Sequence, residues 1–277
     1  MTDGLVNVIR GFAKDRLFGR ILHGIKVEEL LTNENGENSR RVFAIVHYNA
    51  PRFLLLNVKR LELLHPESKI YVFDNASSEA NLKVVLNGLK CYKNLTLFSN
   101  RYDLSETWAC HIIGLQFLLN YAFQESDSVI TFLDQDCILV NRIDDLTEKL
   151  GKEILLIGVR DCLFRNFPDV VHGSFMMMQP STIHRLFGDQ SLMDGKSFEP
   201  YHGIAYKLAG KILFLEMQLH PEIPLLTRYI HKEKTYAWHS WYSSRIIGMK
   251  DTDVLDGFPV SWIKDCLEKA YAFMEGR

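Results

Sequence analysis

Residues 129–136 read V-I-T-F-L-D-Q-D, a run of apolar and β-branched residues followed by two aspartates with one residue between them. The run 129–133 is typical of a buried strand in a parallel sheet. It predicts that Asp134 and Asp136 leave the end of that strand together. Parallel α/β sheets bind ligands outside the carboxyl ends of their strands. We therefore expect a site at this point of the chain.

Short apolar runs alternate with amphipathic segments on both sides of this stretch. Further strands are predicted at residues 42–47, 70–73, 95–98 and 154–159. Helices are predicted to begin at Pro51, after Ser77 or Ser78, and at Asp103. This alternation predicts an α/β fold with a Rossmann-like, mostly parallel central sheet and helices on both faces.

The composition excludes several classes of protein. The chain has 277 residues, of which 47% are hydrophobic, and its 32 basic against 34 acidic residues give a net charge of -2. Without a basic excess, nucleic acid is not an expected partner.

The five cysteines are odd in number and form no C-x-x-C pair, which argues against a disulfide framework or a zinc finger. With no recognisable signal peptide or membrane-spanning run, we expect a cytoplasmic protein.

The first 40 residues differ from the rest. We expect residues 1–40 to be an amphipathic helical appendage with a polar linker over 32–40, residues 41–250 to form the main domain, and residues 251–277 to end in a helix packed on it. Residues 1–26 carry five basic and two acidic residues. This segment therefore either lies on the anionic inner face of a membrane or packs on the main domain.

The pair Asp134 and Asp136 predicts a metal site. Neighbouring carboxylates repel each other, and a divalent cation relieves the repulsion. Mg²⁺ and Mn²⁺ take oxygen ligands and bridge the phosphates of nucleotides. The chain holds a second pair of this spacing, Asp251 and Asp253. It follows no apolar strand, and we interpret it as part of a solvated loop.

A second polar turn follows the strand predicted at 70–73, where the sequence 72–78 reads V-F-D-N-A-S-S. Asp74 could accept the ring N–H of uracil or thymine, and Asn75 could donate to a ring carbonyl. Alternatively, these residues only cap the backbone of a strand-to-helix turn. The residues alone leave both interpretations open.

Three segments in this order resemble a known family. They are F-A-I-V-H-Y-N at 43–49, V-F-D-N-A-S-S at 72–78 and F-L-D-Q-D at 132–136, and together they resemble family 2 glycosyltransferases of the GT-A fold, most closely the rhamnosyltransferase-like branch. The resemblance spans about residues 42–215. It implies transfer of a sugar from a UDP- or dTDP-sugar to a hydroxyl of a glycan or lipid-linked glycan, as in polysaccharide biosynthesis, with Mn²⁺ or Mg²⁺ as cofactor.

The resemblance also implies roles for single residues. The nucleoside would be bound by Tyr48, Asn49, Asp74 and Asn75. Asp136 would be the main metal ligand, and Asp134 would contact the ribose or complete the metal shell.

The acceptor side of the resemblance lies further along the chain. The turn with Gly173 and Ser174 would face the acceptor, together with His202. Glu199 would be the general base of an inverting displacement at the sugar's anomeric carbon. The usual neighbouring acid is missing, so Asp194 and His202 remain alternatives for the base.

The segment 236–245, Y-A-W-H-S-W-Y-S-S-R, is dense in aromatic and polar residues. By the same resemblance, His239 would complete the metal shell, with His231 as second choice. Arg245 would neutralise the leaving diphosphate, since a guanidinium suits phosphate. The alternative is an aromatic cluster on the sheet, with His239 hydrogen-bonded inside it.

Two other classes of protein remain as alternatives. A non-catalytic protein that binds a nucleotide or glycan would explain the incomplete acidic pair near Glu199. A sugar-nucleotide pyrophosphorylase would share the sheet and the metal site. It would be expected to have a glycine-rich phosphate loop after the first strand, and residues 47–52 contain no glycine.

Overall fold

The structure is a computed structural model, and it describes most of the main domain. The described residues are 27–33, 39, 41–100, 114–115, 117–118, 121–122, 128–160, 171–179, 210–243 and 245–276. The predictions made for residues 1–26 and for Asp194, Glu199 and His202 lie outside these residues.

Eleven of the thirteen described strands form one sheet. The strands are β1 (Val27–Asn33), β2 (Arg41–His47), β3 (Lys69–Asn75), β4 (Leu95–Asn100), β5 (Val129–Asp134), β6 (Cys137–Leu139), β7 (Leu156–Arg160), β8 (Val171–Met178), β9 (Ile212–Leu219), β10 (Leu226–His231), β11 (Lys234–Ser240), β12 (Val254–Leu255) and β13 (Phe258–Pro259). The order in the sheet is β1-β4-β3-β2-β5-β8-β7-β9-β10-β11-β6, and β12 pairs with β13.

The described helices connect the strands or follow the last of them. They are α1 (Pro51–Leu64), α2 (Glu79–Leu89), the short α3 (Asp144–Thr147) and α4 (Val260–Glu275). Pro51 stands at the start of α1. Ser78 caps α2 by accepting a hydrogen bond from the backbone N–H of Asn81. Both starts agree with the sequence, because proline suits the first helical turn and a serine side chain satisfies a free N–H there.

The prediction of an α/β fold with a mostly parallel central sheet is confirmed. Strands β4, β3, β2 and β5 run parallel, and β7 and β9 form a further parallel pair. Strand β2 occupies the middle, and all seven of its residues are buried. A strand that is covered on both faces is apolar throughout, which is why its sequence shows no alternation.

The two faces of β2 are covered by different helices. Phe43 and Ile45 point to a core that contains residues of α1 and α2. Val42, Ala44 and Val46 point to the opposite core, which contains the buried helical residues Leu115, Leu118 and Ala122. These three lie in the long helix predicted from Asp103, most of which lies outside the described residues. Helices therefore cover both faces, as predicted.

The boundary drawn at residue 40 differs from the structure. Residues 27–33, which the sequence predicts to belong to the appendage and its linker, form β1, which pairs antiparallel with β4. The register shifts between Glu29 and Leu31. This bulge interrupts the two-residue alternation by which a strand is recognised in a sequence. The segment therefore has no strand pattern, although it is part of the sheet.

Strand β6 lies at the other end of the strand order from β1 but follows β5 after only two residues, Gln135 and Asp136. The antiparallel strands β9, β10 and β11 connect back to it, and His239 of β11 lies opposite Cys137 of β6. The sheet therefore curves round, and the end of β11 comes beside the turn that carries the two aspartates.

The last helix, α4, packs on this curved part. Its buried residues Ile263 and Ala270 share a core with Ile138 of β6, Trp238 of β11 and Phe53 of α1. Among the described residues, no helix combines the length and the apolar character that crossing a bilayer requires.

Candidate metal centre

Three strands end side by side at one edge of the sheet. In the parallel register, His47 of β2 lies opposite Asp74 of β3, and Val46 of β2 lies opposite Asp134 of β5. The polar residues that were predicted to follow these strands are thus brought together at the carboxyl ends, where α/β sheets bind ligands.

Asp134, Asp136 and His239 form one cluster. The Nε2 atom of His239 lies 3.3 Å from Oδ1 of Asp136 and 3.7 Å from Oδ2 of Asp134. One ligand atom from each residue lies within 4.8 Å of the other two. The structure therefore brings together the three residues that the sequence analysis named as metal ligands. His231, the second choice, lies at the other end of the β10–β11 hairpin, opposite Lys234.

The cluster is largely buried, which strengthens its electrostatics. The side chain of His239 is 4% exposed and that of Asp136 is 8% exposed, whereas Asp134 retains 22%. Burial acts to lower the pKa of His239, but attraction from Asp136 and then Asp134 outweighs it and raises that pKa. The two carboxylates thus favour a positive charge at this position.

The backbone of the turn between β5 and β6 is held by hydrogen bonds from Asn57 of α1. The side-chain amide of Asn57, which is fully buried, donates to the carbonyl oxygens of Asp134 at 3.1 Å and Cys137 at 3.1 Å, with Gln135 at 3.4 Å. From β11, the N–H of Ser240 donates to the carbonyl oxygen of Asp136 at 3.1 Å. These contacts hold the carbonyls of the turn, and both of its carboxylates lie on the side of His239.

The residue between the two aspartates also holds the turn. The side-chain oxygen of Gln135 accepts the N–H of Tyr48 at 2.8 Å, and its amide donates to the carbonyl of Tyr48 and to the hydroxyl of Ser243. Gln135 thus connects the turn to the segment after β2 and to the segment after β11. Tyr48, predicted to contact the nucleoside, is placed beside the metal-ligand turn through its backbone.

A chain of hydrogen bonds leads from His239 away from the carboxylates. The hydroxyl of Tyr229 lies 2.6 Å from Nδ1 of His239 and 2.6 Å from the hydroxyl of Ser174, which lies 2.8 Å from Nδ1 of His172. Tyr229 and Ser174 are fully buried. Burial raises the pKa of Tyr229 well above its usual value, so the phenol keeps its proton.

These contacts differ from the expected role of the turn 172–174. Ser174 was predicted to face the acceptor, but its hydroxyl is engaged with Tyr229 and His172, and Gly173 is also buried. The acceptor role of this turn stays a prediction.

Asp74 forms a buried network with no exposed surface. One of its oxygens accepts from Nδ1 of His47 at 2.8 Å and from the hydroxyl of Ser77, and the other accepts the backbone N–H of Ser77 at 3.2 Å and the hydroxyl of Ser99 at 3.4 Å. As folded, Asp74 therefore holds the ends of β2, β3 and β4 together. A contact with a base ring requires these bonds to rearrange.

Asn49 caps the neighbouring turn. It has a positive φ of 50°, which asparagine tolerates better than most residues. Its side-chain oxygen accepts the N–H of Ser78 at 2.7 Å and the amide of Asn81 at 3.0 Å. The interpretation of 74–78 as a capped strand-to-helix turn thus describes the observed contacts of Asn49.

Asn75 differs from Asp74 and Asn49. Its side-chain oxygen is buried and has no hydrogen-bond partner among the described residues. An unsatisfied buried oxygen is costly, so a donor from a ligand would be favourable there. Among the residues predicted to contact the nucleoside, Asn75 therefore has an acceptor oxygen that is available to a ligand.

Arg245 is paired at the surface. Its guanidinium lies 2.8 Å from a carboxylate oxygen of Asp256, with the side chain 53% exposed. A diphosphate contact by Arg245, as predicted, requires this exposed pair to open. Such a pair stabilises by only about 1 kcal/mol or less, so it can exchange partners readily.

Two other groups of acidic residues are already paired with basic side chains. His65, Glu67 and Asp144 also lie close enough to surround an ion, but the guanidinium of Arg41 already contacts all three. Two cations at one position repel, so this cluster is an ion-pair network. Asp251, of the second D-x-D pair, forms an exposed ion pair with Lys264, in agreement with its interpretation as part of a solvated loop.

Sequence reasoning missed Asn57, Gln135 and Tyr229. The signal for Asn57 was an amide among the apolar positions of the helix 51–64. No comparable signal marks Tyr229, because its role depends on β10 lying beside β11, which the sequence analysis did not predict.

The donor set fits a divalent cation. Two carboxylates and an imidazole nitrogen converge on one point, and Nδ1 of His239 has a hydrogen-bond partner, as is usual for ligating histidines. Mn²⁺ and Mg²⁺ accept such oxygen-rich sets, so both predicted cofactors remain suitable.

Comparison with known proteins assigns no family to the chain. No protein-family model matches the chain, and no curated protein matches it. Among solved structures, the bifunctional glycosyltransferase WbbM, in its apo form, has a TM-score of 0.47 and 11% identity, over 66% of this chain and 40% of that chain. The present chain thus spans less than half the length of WbbM.

Two further similar structures are glycosyltransferases. The galactosyltransferase LgtC, in complex with donor and acceptor sugar analogues, has a TM-score of 0.42 and 14% identity, over 62% of this chain and 72% of that chain. The mannosyltransferase PcManGT from Pyrobaculum calidifontis, in complex with GDP-Man and Mn²⁺, has a TM-score of 0.42 and 12% identity, over 76% and 64%. At this distance, what the protein does must be argued from its own site.

Proposed function

We propose that the protein is a metal-dependent glycosyltransferase that moves a sugar from a UDP- or dTDP-sugar to an acceptor hydroxyl, on a glycan or a lipid-linked glycan. The observation that carries the proposal is the convergence of Asp134, Asp136 and His239 at the carboxyl ends of parallel strands. This is the place and the donor set for a cation that binds a diphosphate.

The proposed chemistry divides between the metal and the chain. A bound Mn²⁺ or Mg²⁺ supplies positive charge that stabilises the nucleoside diphosphate as it leaves the sugar's anomeric carbon. Asp134 and Asp136 hold and orient the donor through this charge. Asn57 and Gln135 keep both carboxylates in position by fixing the turn that carries them. Preorganised charge of this kind is usually the largest catalytic contribution.

The nucleoside end of the donor would lie beside Tyr48 and Asn75. The unsatisfied oxygen of Asn75 supports this position, since it can accept an N–H from the base. Asp74 and Asn49 would act there by holding the strand ends and the turn in place, given their internal contacts. Arg245 would join the diphosphate after leaving Asp256.

The acceptor side of the proposal rests on the resemblance. Glu199 would take the proton of the acceptor hydroxyl, with inversion at the anomeric carbon, as in family 2 enzymes. Asp194 and His202 remain alternatives for this proton transfer. Placement at the inner face of a membrane through residues 1–26 belongs to the same group of proposals.

A panel of nucleotide sugars tests the function. The thermal midpoint of the protein is measured with UDP-, dTDP- and GDP-sugars, each with and without Mn²⁺, because a ligand that binds the folded state raises the midpoint. We expect a shift that needs both the metal and a uridine or thymidine nucleotide, followed by release of nucleoside diphosphate when an acceptor is added. Binding without release or transfer would favour the non-catalytic alternative. No metal-dependent shift with any nucleotide would contradict the proposal.

A further inference from the structure

The chain of hydrogen bonds behind His239 begins at a bulge in β8. Gly158 of β7 lies opposite Met176, whereas the next residue, Val159, lies opposite His172. Residues 173–175 therefore have no opposite residue on β7. Bulges often re-aim a side chain next to a site, and here the hydroxyl of Ser174 points to Tyr229 of β10.

The direction of every hydrogen bond in this chain follows from one backbone contact. The N–H of Ser174 donates to Nδ1 of His172 at 3.1 Å. This nitrogen is therefore an acceptor and carries no proton, so a hydrogen bond to it from the hydroxyl of Ser174, 2.8 Å away, requires the hydroxyl to be the donor. In a neutral imidazole one ring nitrogen carries the proton and the other is the acceptor. Since Nδ1 is the acceptor, His172 carries its proton on Nε2.

The same reasoning continues to His239. A serine hydroxyl has a single proton, and that of Ser174 is used in the hydrogen bond to His172. The hydroxyl of Tyr229 therefore donates to Ser174. Tyr229 has then used its own proton. It can only accept from His239, which therefore carries a proton on Nδ1. The Nε2 atom, which faces Asp134 and Asp136, is left as the nitrogen that can bind a cation.

We propose that Tyr229 and Ser174 are positioning residues for the metal, which fix His239 in the tautomer whose Nε2 faces the two carboxylates. The inference rests on the proposed metal site and adds how the chain prepares it. An Nε2 lone pair that lies 3.3 Å from one carboxylate oxygen and 3.7 Å from another is repelled unless a proton or a metal cation lies between them. The chain thus makes the three side chains complementary to a cation before it binds.

The inference predicts an effect of Ser174, whose hydroxyl forms its hydrogen bonds with Tyr229 and His172 and not with the three candidate ligands. Without the hydroxyl of Ser174, Tyr229 is free to donate to Nδ1 of His239. The imidazole proton then moves to Nε2, where it opposes metal binding. Ser174→Ala should therefore weaken Mn²⁺ binding, although the hydrogen bonds of the Ser174 side chain among the described residues go only to Tyr229 and His172.

Calorimetric titration of the metal-free protein with Mn²⁺ tests this. Loss of such an outer-shell partner weakens metal binding about 10- to 100-fold, so we expect that loss for Tyr229→Phe and for Ser174→Ala. The double variant should be no weaker than Tyr229→Phe alone. Tyr236→Phe is the matched control, since Tyr236 is a buried tyrosine of β11 whose hydroxyl donates to Asp145. It should keep the wild-type affinity.

A spectroscopic measurement separates positioning from a general structural effect. In ¹⁵N-labelled protein loaded with Mg²⁺, long-range ¹H–¹⁵N spectra should show opposite tautomers, with the proton on Nδ1 of His239 and on Nε2 of His172. The opposite assignment for either ring would overturn the inference, as would wild-type Mn²⁺ affinity in both Tyr229→Phe and Ser174→Ala. In that last case a wild-type protein that binds Mn²⁺ still supports the proposed function, whereas a wild type that binds none overturns both.

Discussion

Asp136 and His239 lie 3.3 Å apart through Oδ1 and Nε2, although one follows the end of the parallel part of the sheet and the other lies near the end of β11. The closeness depends on the sheet curving until β11 pairs with β6. The candidate site is therefore a property of the whole sheet, and residues that hold the curve or the turn should affect it from a distance.

Asn57 is the first such residue. Replacing it with leucine, which has a similar size, leaves the carbonyl oxygens of Asp134 and Cys137 without their donor. Buried polar groups that lose a partner cost about 1–3 kcal/mol each, so for these two carbonyls we expect the free energy of unfolding to fall by roughly 2–6 kcal/mol. Urea denaturation measures it. The same change at Asn87, an exposed residue of α2, is the control, and equal small losses in both variants would remove the role of Asn57 in holding the turn.

Asp74→Asn should act mainly on stability. The change leaves His47, which is buried and lies 2.8 Å away, without its carboxylate partner. Because Nε2 of His47 accepts the N–H of Ala50, the contact is a hydrogen bond from Nδ1 to a carboxylate. A hydrogen bond to a charged group contributes about 1.5–3 kcal/mol. We expect this loss in denaturant unfolding, and, under conditions where the variant is folded, retained binding of a uridine nucleotide. A variant of normal stability that has lost nucleotide binding would instead support the direct contact with the base that was predicted from the sequence.

His65 should make stability depend on pH. Burial, and then repulsion from Arg41, lowers the pKa of His65 from 6.5 to about 4. The unfolded chain therefore binds more protons between these values, so the stabilisation is complete above pH 6.5 and is lost as the pH falls towards 4. Unfolding free energies are measured at pH 7 and pH 5 for the wild type and His65→Gln. The wild type should lose more, because the other groups titrate in both proteins. An equal loss in the two proteins would show that His65 does not carry this effect.

Gly158 should tolerate no larger residue while Val171 is present. A Cβ atom at this position would lie 2.3 Å from Cγ1 of Val171 and 3.2 Å from the carbonyl oxygen of Phe175. Such overpacking costs about 1–3 kcal/mol, so Gly158→Ala should lower the free energy of unfolding by this amount. Adding Val171→Ala removes the closest atom, and a double-mutant cycle should show that the two changes are not additive. Additive losses would show that a methyl group added at position 158 does not press against Val171, and would contradict the prediction.

The sequence was sufficient to predict the central sheet because its buried strands are continuous apolar runs. The strand 42–47 is an example. The two aspartates after the run 129–133 led to Asp134, Asp136 and His239, which the structure brings together; their role as metal ligands stays a prediction. The strand β1 could not be predicted, since a bulge breaks its alternation. The contacts of Asp74 and Ser174 could not be predicted either, because a residue at a strand end faces inward or outward according to neighbours that are distant in sequence. Tyr229 had no signal, as its role requires the pairing of β10 with β11.

Calorimetric titration of the metal-free protein with Mn²⁺ in the presence of UDP tests the central claim most directly. The account predicts one saturable site per chain, with affinity reduced about 100-fold or more in Asp136→Asn, since losing a ligand should cost at least as much as losing an outer-shell partner. Asp251→Asn, a change in the exposed D-x-D pair, should leave the affinity unchanged. A wild-type protein without a saturable Mn²⁺ site, or an Asp136→Asn variant that binds as tightly as the wild type, would contradict it.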